Sequence, residues 1–128
     1  ADPTADAVKQ AGIRRVGLLG TRFTMEEDFY RGRLETRHAI QVVVPNEEDR
    51  DHVHRVIYNE LCLGIVREPS RSVYRGVIDR LRQRGAEGII LGCTEIAMLV
   101  SPADSPVPVF DTTSLHAASA VEWALRER

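Results

Sequence analysis

Gly88-Ile89-Ile90-Leu91-Gly92-Cys93-Thr94-Glu95 is the stretch that decides the fold. Its apolar run has the length of a strand, and no polar residue alternates through it. That is the pattern of a β-strand covered on both faces, as in a parallel sheet. A glycine, a thiol and two polar residues follow at once, so the chain leaves the strand into a turn and then a short helical segment to about Val100. The same unit recurs upstream, where Val16-Gly17-Leu18-Leu19 runs into Gly20-Thr21-Arg22-Phe23-Thr24. Ile40 to Val44 is β-branched and stopped by Pro45, and Val107 to Phe110 forms a short fourth run.

Helical patterns fill the spaces between these runs. Asp2-Pro3 offers a cap and a proline in the first turn of a helix to Ala11, with Gly12 as its stop. Thr24-Met25-Glu26-Glu27 has capping-box spacing and predicts a helix to about Arg37. Asn46 caps a helix whose first turn carries Glu47, Glu48 and Asp49, where the helix dipole favours acids. Its apolar stripe is Val53, Val56, Ile57 and Leu61, and Gly64 ends it. Val73, Val77, Ile78 and Leu81 mark another helix, begun near Ser70 or Ser72 and closed by Gly85. Ser101 to Pro106 reads as a loop, and Thr112 to Leu125 as a final helix. Strands separated by helices of this length imply βαβ units, hence an α/β fold with a parallel sheet of about four strands flanked by helices.

Composition agrees with one such layered domain. The chain has 128 residues, 43% of them hydrophobic and 28% charged, with a net charge of −2. Domains of this size bury roughly two thirds of the surface their unfolded chains expose, enough for a core without disulfides or metal. The longest apolar runs fall far short of the ~20 residues of a membrane helix. Basic residues number 17 against 19 acidic ones, and no basic cluster alternates with aromatics, which argues against nucleic acid as a partner. Cys62 and Cys93 sit inside apolar segments and are expected to be free thiols in a reducing, cytoplasmic setting. Ala1-Asp2-Pro3-Thr4 lacks the regions of a signal peptide, so the chain is expected to be processed or cut from something longer.

In open α/β sheets ligands bind beyond the carboxyl ends of strands, where helix N-termini also point. Gly20 to Thr24 places two hydroxyls and several amides there, which suits a small carboxylate or phosphate; a plain capped turn would look the same. Cys93, at a strand-to-helix junction, is expected to feel the helix dipole, which lowers a thiol's ordinary pKa of about 8.5. Glu95 is placed to hold, orient or exchange a proton with that thiol. The competing reading of Cys93 is a buried apolar side chain. Asp111-Thr112-Thr113 is most simply a cap, with Asp111 open also to the edge of a site, and His116 is open to both. Cys62 is expected to pack. His52 and His54, two apart on a helix, point in different directions and are expected to be solvated rather than to share a metal.

Taken together, VGLLGTRFTMEE (Val16 to Glu27), VPNEEDRDHVHRVIYNELCLG (Val44 to Gly64), GAEGIILGCTEI (Gly85 to Ile96) and VPVFDT (Val107 to Thr112) resemble the C-terminal half of a cofactor-independent aspartate/glutamate racemase. GCTE after a buried strand, with GTxxT upstream and the aspartate-threonine pair downstream, carries most of the resemblance. It implies one lobe of a two-lobed fold, with residues 1–128 as that lobe and the N-terminal lobe absent from the chain. It also implies racemisation by two cysteine bases without pyridoxal phosphate or metal, in which one thiol removes the α-proton and the other reprotonates the opposite face. Carried over by position, Cys93 is one base. Thr21, Thr24 and Thr94 bind the substrate carboxylate, and Glu95 stands where the aspartate branch has Glu and glutamate racemases have His. The other cysteine belongs to the absent half.

The resemblance therefore predicts a fragment that binds a small amino acid or dicarboxylate, associates as a homo-oligomer and does not racemise alone. The resemblance implies that members acting on dicarboxylates also use basic residues, one in the absent half and commonly one near the end of the ELCxG helix. Here that region reads Leu63, Gly64, Ile65 and Val66 before Arg67. Two other functions fit the same residues. One is a single-cysteine relative, like an arylmalonate decarboxylase or a maleate isomerase; the other is a non-catalytic carboxylate-binding lobe.

Overall fold

The computed structural model describes residues 2–113, 115 and 125. The elements follow one another as α1 (Asp2–Gln10), β1 (Arg15–Leu19), α2 (Arg22–Glu26), α3 (Asp28–His38), β2 (Gln41–Val43), α4 (Glu47–Asn59), α5 (Glu68–Gln83), β3 (Gly88–Leu91) and β4 (Val109–Asp111). The sheet has strand order β2-β1-β3-β4, and every neighbouring pair is parallel. Leu19 lies opposite Leu91, and Leu91 opposite Asp111, so three strands end abreast on one edge. Each chain segment that follows emerges on that edge.

The unbroken apolar runs are explained by cover on both faces. On one face Leu19, Ile89 and Leu91 pack with Val53, Val56 and Ile57 of α4 and with Tyr74, Val77, Ile78 and Leu81 of α5. On the other, Val16, Leu18 and Ile90 pack with Ala5 and Val8 of α1, Leu34 of α3 and Ile40. Successive strand residues point to opposite faces, so both sets are apolar and no alternation survives in the sequence. Two polar ties brace α4 against α5. The Tyr74 hydroxyl donates to the Val53 carbonyl at 2.8 Å. The Arg80 guanidinium donates to both Asp49 oxygens at 2.7 and 2.9 Å, a planar fork meeting a carboxylate.

Several boundaries differ from the expected ones, each for a local reason. Asn46 caps α4 as expected, its Oδ1 accepting from the Asp49 amide at 2.9 Å. The helix after β1, however, is capped by Thr21 instead of Thr24. The Thr21 hydroxyl accepts from the Thr24 amide, and Glu27 is extended, so one predicted helix becomes α2 and α3. α5 begins with Pro69 in its first turn after Arg67, because the Ser70 hydroxyl is spent donating to Glu60 at 2.6 Å. Cys62 lies in a 3-10 turn, Leu61–Leu63, and is exposed instead of packed. Within the expected loop 101–106, Pro102–Asp104 forms a further 3-10 turn, which Ser101 and Asp104 cap reciprocally. Of the final helix, Thr112, Thr113, Leu115 and Leu125 are described, and His116 lies outside the described residues. Among the described residues no helix is long and apolar enough to cross a membrane.

Candidate active site

Three loops leave the aligned ends of β1, β3 and β4. The first, residues 20–24, is held by its own hydroxyls, with Thr21 Oγ1 3.2 Å from Thr24 Oγ1 and accepting from the Thr24 amide at 3.3 Å. Its approach to the second loop depends on two glycines. A Cβ built on Gly92 would lie 3.2 Å from Thr24 Cγ2 and 3.1 Å from the Leu19 carbonyl oxygen; one on Gly20 would lie 3.1 Å from Thr24 Cβ. The Thr24 side chain thus fills the space that side chains at 20 and 92 would occupy, which sets the first loop directly against the strand end carrying Cys93. The third loop joins through threonines. Thr112 Oγ1 donates to the Leu91 carbonyl at 2.9 Å, Thr94 Oγ1 lies 3.3 Å from Thr113 Oγ1, and Asp111 accepts from the Thr113 amide at 3.0 Å.

Cys93 is half-buried and donates its thiol hydrogen to Glu95 Oε2 at 2.9 Å. The expected depression of the thiol pKa does not occur. Burial first, and then the hydrogen bond to the Glu95 carboxylate, push it up to about 11. The physical reason lies in the local structure. Cys93 precedes a five-residue 3-10 turn, Thr94–Met98, in place of an α-helix, so little dipole is available. A neighbouring carboxylate, moreover, favours the protonated thiol. Glu95 shifts the opposite way, its pKa lowered by accepting from the thiol and from a backbone amide. Beneath them the buried Tyr74 hydroxyl is held well above its usual range by burial, then by the charges of Cys93 and Glu60.

Thr21, Thr24, Cys93, Thr94 and Glu95, the residues singled out in the sequence, therefore share one edge of the sheet. A cleft of about 370 Å3 bounded by Pro45, Asn46, Arg80 and Arg84 includes none of them. No group of three or more His, Cys, Asp or Glu is placed to hold a metal among the described residues. Thr113, beside Thr94, is a site neighbour that the sequence offers only as a cap. His54 is another, because its Nδ1 accepts the Arg22 amide at 2.9 Å. Its helical spacing from Asp51 and Tyr58 puts it on one face with them, the one signal the sequence holds.

A family model described as Asp/Glu/Hydantoin racemase matches residues 1–120, most of the chain and all three loops. The chain belongs to this racemase family. It is 57% identical to a Yersinia pestis protein of known crystal structure assigned to the Asp/Glu racemases, with a TM-score of 0.94 over 98% of this chain and 54% of that one. An aspartate racemase homologue from Pyrococcus horikoshii OT3 is 36% identical, with a TM-score of 0.87 over 96% of this chain and 54% of that one. The Picrophilus torridus aspartate racemase is 26% identical, with a TM-score of 0.65 over 86% and 45%. An uncharacterised protein from the pnlA 3′ region of Pectobacterium carotovorum subsp. carotovorum is 36% identical over 95% of this chain and 81% of its own length. The chain thus spans about half the length of these three solved structures.

Within this racemase-family chain the two thiols occupy different settings. Cys93 is half-buried at a strand end and paired with a carboxylate, whereas Cys62 is exposed on a turn. Phe23, Leu63 and Met98 are exposed apolar residues, at 67%, 70% and 49% relative accessibility. Phe23 belongs to the first site loop itself, and Met98 to the turn that follows Cys93.

Proposed function

We propose that this chain is one lobe of an amino-acid racemase acting without pyridoxal phosphate or metal, with aspartate or glutamate as substrate and Cys93 as one of two acid–base thiols. The observation that carries the reading is the thiol–carboxylate pair Cys93–Glu95, set between loops whose threonines can receive a carboxylate. Two-base racemisation needs one thiol protonated while the other is not. Cys93, bonded to Glu95, is in the protonated half of that cycle. A base on the opposite face takes the α-proton, leaving the electron pair on the carbon. The Cys93 S–H bond then breaks as the new C–H bond forms, and Cys93 is left as thiolate for the reverse direction.

Thr21, Thr24 and Thr94 supply donors to the carboxylate, where negative charge accumulates as the α-proton leaves. Glu95 positions the thiol, and its charge favours the return of a proton to sulfur. The second base belongs to a further lobe. Phe23, Leu63 and Met98 are the kind of exposed apolar surface that such a lobe, or a second copy of the chain, would cover. The expected setting is the cytoplasm, where both thiols stay reduced.

α-Proton exchange of L- and D-aspartate in deuterated water tests the proposal. The 128-residue chain alone is expected neither to exchange nor to racemise. Joined to a lobe that supplies the opposing thiol, it should do both, and Cys93→Ala should then remove roughly a hundredfold to ten-thousandfold of the rate. Efficient racemisation by the chain alone would overturn the two-lobe reading.

A further inference from the structure

His54 lies outside the motifs that mark the family, yet it contacts the carboxylate loop directly. Its Nδ1 accepts the Arg22 backbone amide at 2.9 Å. That amide is in the first turn of α2, directly after the capping residue Thr21. Only a neutral imidazole with its hydrogen on Nε2 can accept there, because both nitrogens of the imidazolium are donors. The contact is buttressed from both elements. The Arg22 guanidinium donates to Asp51 at 2.5 Å, Asp51 also pairs with Arg55 at 3.1 Å, and the Tyr58 ring lies 4.7 Å from the His54 ring. Further along α2, Glu26 pairs with Arg50 of α4 at 3.2 Å. The charged groups joined to this contact by ion pairs are thus Arg22 from α2 and Asp51 and Arg55 from α4.

We propose that His54 is a positioning residue for the Thr21–Thr24 loop, holding it in its carboxylate-receiving form only while the imidazole is neutral. The inference deepens the racemase reading and rests on it for the role of the loop. Protonation turns the acceptor into a donor aimed at another donor, the Arg22 N–H. The first turn of α2 must then shift, and Thr21 and Thr24 shift with it. Protonation of His54 is accordingly expected to weaken carboxylate binding while the thiol keeps its proton.

Substitution separates this effect from a merely structural one. Asn Oδ1 stands on the same carbon position as His Nδ1, accepts the same hydrogen bond and takes up no proton. In the isotope-labelled chain, the Arg22 amide resonance should move as pH falls from 8 to 5 in the parent. In His54→Asn it should stay put, and in His54→Ala it should be displaced at every pH. L-Aspartate binding, followed on the Thr21 and Thr24 amides, should weaken by roughly fivefold on acidification of the parent, the factor for one ordinary hydrogen bond, and not in His54→Asn. A pH step of Arg22 that persists in His54→Asn, or an unchanged Arg22 resonance in His54→Ala, would overturn the proposal. If no variant binds aspartate at any pH, the carboxylate role of the loop fails, while the Arg22 resonance still decides the contact.

Discussion

Glu95→Gln should accelerate the alkylation of Cys93 by iodoacetamide at pH 8 roughly tenfold, the factor that one unit of thiol pKa corresponds to. The thiol donates to Glu95 at 2.9 Å, and burial together with that carboxylate raises its pKa to about 11. Removing the negative charge while keeping the shape leaves burial as the main upward cause. An amide can also donate to the thiolate, which a carboxylate cannot. In the parent chain the exposed Cys62 should react first at neutral pH, with Cys93 gaining reactivity only as pH climbs toward 11. Peptide mapping after timed alkylation reads both thiols in one sample, so Cys62 serves as an internal reference. Equal rates for Cys93 in the parent and in Glu95→Gln would show that the carboxylate does not hold the thiol. The same shift has a consequence for stability. An unfolded thiol ionises near ~8.5, below the folded value, so the contribution is complete below that pH and is lost as pH rises toward 11.

The sheet was legible because its strands are buried on both faces. Val16-Gly17-Leu18-Leu19 and Ile89-Ile90-Leu91 can be apolar throughout only where helices cover both sides, and the described helices do so. That the five candidate residues share one edge follows for a related reason, since a parallel sheet delivers every strand end to one edge. What the sequence did not hold was anything settled by tertiary competition. Thr21 and Thr24 are both good caps, and the choice between them depends on Thr24 being needed between Gly20 and Gly92. Ser70 looks like a helix start until Glu60, ten residues earlier, claims its hydroxyl. The direction of the Cys93 shift differs from the expected one for the same reason. Instead of a helix dipole, burial, a short 3-10 turn and a carboxylate two residues on set the balance. Nothing local in the sequence links His54 to an amide on a different helix, so its spacing alone points to solvent.

The wedge of Thr24 between two glycines gives a pair of substitutions with opposite consequences. Gly92→Val places a branched side chain where a Cβ alone already lies 3.1 Å from the Leu19 carbonyl oxygen, 3.2 Å from Thr24 Cγ2 and 3.3 Å from Leu18 Cδ1. The carbonyl belongs to β1 and accepts the Gly92 amide at 2.7 Å, so the backbone cannot retreat without breaking that bond. Thr24 must yield instead. Overpacking of this kind costs about 1–3 kcal/mol, visible as a lowered urea midpoint with an unchanged slope. Thr24→Val does the converse. It keeps the branched shape and the methyl between the glycines, but removes the hydroxyl that lies 3.2 Å from Thr21 Oγ1. Its stability should stay within roughly 1 kcal/mol of the parent, since one ordinary hydrogen bond is lost from a half-buried position. L-Aspartate binding should nevertheless fall at least roughly tenfold, because a hydrogen bond to a charged carboxylate is worth more than a neutral one. Gly92→Val should lose stability and binding together, as the loop it displaces is the one proposed to receive the carboxylate. If Thr24→Val binds aspartate as the parent does, the Thr21–Thr24 hydroxyls serve only to cap α2, and the carboxylate must be received by Thr94 and its neighbours alone.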